Sequence, residues 1–140
     1  MRLLLDTNIF VFMVSDRESL SEDVISVIED PEHLKYLSAE SVRELVTAYR
    51  SKGLMSDVWH NEGEMVEQIL GNPEIAIDYV DAHVLRQLAD LEINEAQKHH
   101  DPSDHLIIAQ AIAHRMTLVS SDTKFPFYRR QGLDLIENER

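Results

Sequence analysis

Arg2-Leu3-Leu4-Leu5-Asp6-Thr7-Asn8 opens the chain with a short apolar run closed by three residues that favour turns and helix caps. It reads as a buried strand handing over to a helix, which Ile9 to Val14 continue as a largely buried segment. The same alternation recurs outward from this stretch. Leu20, Val24, Val27 and Ile28 have helical spacing; Tyr36-Leu37 is a second short strand, and Ser38 is the N-cap of a helix carrying Val42, Leu45, Val46 and Tyr49 and ended by Gly53. A helix is expected from Leu54 to Leu70, stopped by Gly71-Asn72-Pro73, then a strand at Ile75 to Ile77 and a helix from Asp78 to Leu91 with Asp78 as its cap. Asp101-Pro102 starts a further helix, since proline's missing N–H costs nothing in a first turn. Thr117 to Ser120 and Leu133 to Ile136 complete the strands. Short apolar strands alternating with helices imply an α/β fold, a parallel sheet of about five strands covered on both faces. Residues 1–140 are expected to form a single domain.

Composition narrows the chemistry. The chain contains no cysteine, which removes disulfides, thiolate zinc sites and cysteine nucleophiles. Thirteen basic residues against 26 acidic give a formal net charge of −13, which repels phosphate backbones at long range and excludes a broad basic nucleic-acid face. A local nucleic-acid site then needs its own cation. Three leucines before Asp6 are too few for a signal peptide, and the apolar run Ile9 to Val14 falls far short of the roughly 20 residues of a membrane span. A cytoplasmic protein with no membrane partner is expected.

In open parallel sheets, ligands bind beyond the carboxyl ends of the strands, near a switch in strand order. Asp6 ends the first strand and Asp122 the fourth. Glu44 lies in the helix after the second strand, one helical step from Ser41, and Asp104 lies in the first turn of the helix before the fourth strand. If the first and fourth strands are neighbours, all four acids meet in one cleft. Singly, each has a structural reading too. Asp6 suits a cap, Asp122 a turn, Glu44 a solvated helix face, and Asp101 with Asp104 a capping pair. Jointly they imply a cation, because two carboxylates about 4 Å apart repel by roughly 4 kcal/mol at an effective dielectric near 20. Hard oxygen donors select Mg²⁺ or Mn²⁺ over zinc. Such an ion lowers the pKa of a water and neutralises charge on a phosphoryl oxygen, so phosphodiester hydrolysis is the chemistry implied.

At these positions the sequence resembles the PIN-domain family, especially the VapC-type toxins of toxin–antitoxin pairs. The matching stretches are Leu3 to Asn8, Ser38 to Leu45, His100 to Ala111, and Leu118 to Asp122 with Phe125 and Tyr128 following. Gly53 to Asn72 carries no such signal. The resemblance implies a PIN-like three-layer fold and a metal-dependent endoribonuclease, with Asp6, Glu44, Asp104 and Asp122 as the catalytic and metal-holding acids. It makes Asn8, Ser38 and Ser41 supporting polar groups and Asp101 an acid standing behind them. It further implies a homodimer, an RNA substrate and a cognate antitoxin reaching into the active site. The chain departs from the family at Ser103, where an aromatic or apolar residue is common, and at His105, where arginine is frequent; histidine there supplies a pH-dependent cation.

Basic residues are sparse. Arg43, His105 and Lys124 are the expected substrate contacts, with Arg50, Arg129 and Arg130 divided between phosphate contacts and surface ion pairs. His99-His100 reads as a solvated pair before a helix cap, and His60 and His83 as surface or packing residues. Trp59 and Met65 read as core or interface residues on a connecting helix. No Gly-x-Ser-x-Gly elbow or Walker-type loop is present. The rival reading is a catalytically weak PIN domain that binds RNA or protein without cutting.

Overall fold

A computed structural model describes residues 1–139. Its centre is a five-stranded, all-parallel sheet in the order β3-β2-β1-β4-β5, formed by β1 (Arg2–Leu5), β2 (Leu34–Ser38), β3 (Ile75–Asp78), β4 (Thr117–Ser120) and β5 (Asp134–Glu137). The strand order reverses between β1 and β4, which pair in register as Leu3 with Thr117 and Leu5 with Val119. Asp6 N–H extends that pairing to the Val119 carbonyl at 2.9 Å. The crevice of an open parallel sheet therefore falls at the ends of these two strands.

Alternation along β1 separates two cores. Leu3 and Leu5 join Ile9, Phe10, Leu37, Leu45, Met65 and Val119 on the face covered by α1 (Thr7–Ser15), α2 (Glu22–Glu29), α3 (Ala39–Lys52) and α4 (Glu62–Leu70). Leu4 joins Ile107, Ile108, Leu118, Phe125 and Tyr128 on the opposite face. That face is covered by α6 (Pro102–Ala113) and a 3₁₀ segment, Phe125–Gln131, with α5 (Ala82–Asp90) packed on α6. Every β1 leucine is fully buried, so the strand contributes to both cores at once. Leu4→Ala is expected to destabilise the fold by about 2–5 kcal/mol, read from the urea midpoint at unchanged slope.

Two local expectations are corrected. The helix expected from Leu54 to Leu70 begins only at Glu62. Gly53 ends α3 in the left-handed region (φ +64), Met55 also takes positive φ (65), and Asn61 Oδ1 caps α4 through the Glu64 N–H at 2.8 Å. Trp59 thus lies in the irregular connection between α3 and α4. It is buried, and is held by the Tyr49 hydroxyl donating to its carbonyl (2.7 Å) and by its own Nε1–H donating to Gln68 (2.8 Å). Met65 is buried on α4, so neither residue offers an interface.

Asp78 is not the cap of α5. Asp81 accepts the Val84 N–H at 2.9 Å, while the Asp78 carboxylate binds His114 Nδ1 (2.8 Å) and accepts from Gln110 Nε2 (2.9 Å). The segment after Asp122 winds into the 3₁₀ turn that delivers Phe125 and Tyr128 to the second core. Among the described residues no helix is long and apolar enough to cross a membrane.

Candidate active site

Four separate segments bring Asp6, Glu44, Asp104 and Asp122 to the carboxyl end of the sheet. Asp6 follows β1 and is the N-cap of α1, with Oδ1 accepting the Thr7 N–H at 2.8 Å. Its Oδ2 accepts from the Ser120 hydroxyl at 2.7 Å. The same Ser120 oxygen accepts the Asp122 N–H at 3.0 Å, so one hydroxyl ties the first and last acids together. Asp122 closes a tight turn by accepting the Lys124 N–H at 2.8 Å. Glu44 rises from α3 and accepts from the Thr7 hydroxyl at 2.8 Å; that hydroxyl also lies 2.7 Å from Ser41 Oγ. Asp104 is in the first turn of α6, where Asp101 caps the helix by accepting from the Ser103 and Asp104 N–H groups.

The acids sense one another. Burial raises the Asp6 carboxyl to about 6 against the Ser120 hydrogen bond, and the charges of Asp104 and Asp122 push the same way. Burial is again the main cause at Asp104, raised to about 7, followed by the charges of Asp101, Asp122 and Glu44. Glu44 is raised by burial and by Asp6 and Asp101, against the Thr7 hydrogen bond. Carboxylates pushed up together in this way suit a divalent cation, which would restore their ionised forms.

One histidine belongs to this group. His99, only 1 % exposed, places Nε2 2.9 Å from Asp104 Oδ2 and Nδ1 3.0 Å from the Tyr128 hydroxyl. Donor atoms of His99, Asp104 and Asp122 all lie within 4.8 Å of one another. The solvated His99-His100 pair is therefore corrected for its first member. His100 is exposed and pairs with Glu95, while His99 is in the core because the chain before α6 folds over Phe125 and Tyr128. The periodicity of an isolated pair of histidines carried no sign of this.

The remaining candidates divide. Ser41 is buried beside Thr7, and Asn8 is exposed on a groove of about 390 Å³ that Thr7, Glu44, Lys52 and Leu54 also line. Ser38 caps α3 and donates to Gln110 rather than to any of the four acids. Arg43 is held by Glu40 and donates to Ser103 at 2.9 Å, bridging α3 to α6. His105 donates through Nε2 to the His99 carbonyl at 2.7 Å. Arg50, Arg129 and Arg130 pair with Glu62, Glu137 and Glu92, and Arg130 also stacks on Phe127. Lys124 lies close enough to lower the Asp104 carboxyl and the His99 imidazole through its charge. Thr7 and Ser120, neither of them among the site residues expected from the sequence, are the hydroxyls that orient Glu44 and Asp6.

The sequence pattern of the PIN domain family matches residues 3–131. The chain belongs to the PIN domain family. That match runs from β1 through the 3₁₀ turn and includes Asp6, Glu44, Asp104 and Asp122. No curated protein matches the sequence of this PIN domain. Its fold is similar to that of VapBC2 from Rickettsia felis, bound to a DNA fragment from its promoter (TM-score 0.71, 20% identity, covering 99% of this chain and 100% of that one). It is similar also to VapBC-1 from nontypeable Haemophilus influenzae (0.71, 17%, 98% of each chain). DNA-bound VapBC from Salmonella typhimurium gives the same picture (0.71, 15%, 98% of each chain). The PIN domain thus has the three-layer α/β architecture of these toxin–antitoxin structures, within a family of nucleases.

Proposed function

We propose that this PIN domain is a Mg²⁺- or Mn²⁺-dependent endoribonuclease, the toxin of a toxin–antitoxin pair. The observation that carries the reading is the convergence of four carboxylates from distant segments, with Asp6, Glu44 and Asp104 all pushed above their ordinary range. Asp6, Asp104 and Asp122 would hold the ion, with Glu44 beside them. All-oxygen donors in an acidic pocket fit a hard divalent cation. When bound, such an ion supplies a more acidic water and stabilises negative charge on a phosphoryl oxygen.

The chain's own groups prepare this. Ser120 and the Thr7 N–H fix both Asp6 oxygens, and the Thr7 hydroxyl orients Glu44, so the acids are set before substrate arrives. Lys124 adds a positive charge beside the acids, where an RNA phosphate would otherwise meet only repulsion. Arg43 and His105 are already engaged within the protein and would reach RNA only at its edge. A homodimer, a cognate antitoxin and action in the cytoplasm complete the proposal; the likeness in fold to the VapBC complexes supports the antitoxin.

The test is purified protein incubated with RNA and Mg²⁺ or Mn²⁺, beside Asp6→Asn. Cleavage by the wild type that Asp6→Asn lowers by on the order of a hundredfold or more is expected. Equal cleavage by both proteins would overturn the reading. Metal binding with no cleavage of varied RNAs would instead identify a binding module.

A further inference from the structure

We propose that His99 is a positioning residue that holds Asp104 toward the cleft through an Nε2–H···Oδ2 hydrogen bond; this rests on the reading of Asp104 as a metal-holding acid. The direction of the hydrogen bonds is set from the far end. The Asn94 backbone N–H can only donate, and it does so to the Tyr128 hydroxyl at 3.1 Å. Among the described residues the Tyr128 hydroxyl has no acceptor but His99 Nδ1, at 3.0 Å, so its proton is directed there. With Nδ1 accepting, the ring's remaining proton sits on Nε2 and faces Asp104 Oδ2 at 2.9 Å.

Packing fixes the ring as firmly as the hydrogen bonds do. Phe125 and Tyr128 lie against His99 at centroid distances of 5.5 and 5.6 Å, and His105 meets it edge-on at 5.0 Å. Asn94, His99, Phe125 and Tyr128 are all buried. Among the described residues no other side chain hydrogen-bonds the Asp104 carboxylate. One oxygen is therefore pinned to the protein while the other remains for a ligand. This is the arrangement by which a partner behind a metal-holding group sets its orientation. The 3₁₀ turn after Asp122 acquires a role through it: it carries the tyrosine that selects the histidine's tautomer.

Mn²⁺ titrated calorimetrically into metal-free protein reads affinity without any need for cleavage. His99→Phe keeps an aromatic ring in the core but removes the donor, and is expected to weaken Mn²⁺ binding by about tenfold or more. His99→Gln places an amide N–H near the position of Nε2 and is expected to stay within about threefold of wild type. Melting curves of the metal-free variants establish that each is folded.

His99→Phe binding as tightly as wild type would overturn the proposal, and so would His99→Gln being as weak as His99→Phe. Should His99→Phe not fold, Tyr128→Phe takes its place, since it frees the tautomer. A loss of about threefold or more then supports the proposal and an unchanged affinity overturns it. A wild-type chain that binds no Mn²⁺ overturns the metal-dependent function itself; binding that His99 does not influence overturns the positioning role alone.

Discussion

Asp104→Asn is expected to yield a protein that melts at higher temperature than the wild type and cleaves RNA far more slowly. Burial and the charges of Asp101, Asp122 and Glu44 raise the Asp104 carboxyl to about 7, so at pH 8 the metal-free wild type carries an ionised group in a place that disfavours it. Asparagine removes that charge and keeps an oxygen to accept from His99 Nε2. The gain is on the order of 2–4 kcal/mol, or a melting temperature higher by roughly 5–15 °C for a chain of this size. On the proposed function, in which Asp104 holds the metal, cleavage should fall by on the order of a thousandfold. The two readouts move in opposite directions, as expected where a site is strained for function. A variant that is both inactive and less stable in chelator would show that the acids are not mutually destabilising.

Stability of the metal-free wild type should decline as pH rises from about 5 to about 8. Asp6 and Asp104 have folded values near 6 and 7 against an ordinary 3.8, so the folded chain holds these protons more tightly than the unfolded chain does. Stability from such groups is fully present below the unfolded value and is lost as pH climbs through the folded values, amounting here to a few kcal/mol. His114 contributes in the same direction. Burial lowers its pKa, but the hydrogen bonds to Asp81 and Asp78 win and hold it above its ordinary value, so its contribution also fades with rising pH.

Saturating Mn²⁺ should reverse the trend at pH 8 and do little at pH 5, where Asp6 and Asp104 are protonated. Calorimetric melting with and without Mn²⁺ across this range checks it. Asp6→Asn and Asp104→Asn, each flattening the metal-free slope, separate the cleft from His114. A metal-free melting temperature that rises from pH 5 to pH 8 would contradict the raised acids.

Much of this molecule is written locally. The β1 leucines and the Asp-Thr-Asn that follows, the Ser38 and Gly53 boundaries of α3, and the Asp101-Pro102 start of α6 all act within a few residues. Their propensities and caps therefore specify the elements directly. The rule that ligands sit at strand ends located the four acids from sequence, on the condition that β1 and β4 pair.

The misread places share one physical cause. Met55 and Trp59 leave helical geometry to enter the core, Asp78 prefers a histidine 36 residues away to the adjacent helix end, and His99 is buried by a turn that begins 26 residues later. Tertiary contacts outweighed local preference at each. The sequence by itself determined the succession of strands and helices along the chain and placed four carboxylates near the carboxyl ends of the strands. Only the tertiary structure decided which hydroxyls and which histidine hold those carboxylates in place. Hydrogen bonds between segments more than 20 residues apart leave no periodicity for a sequence to display.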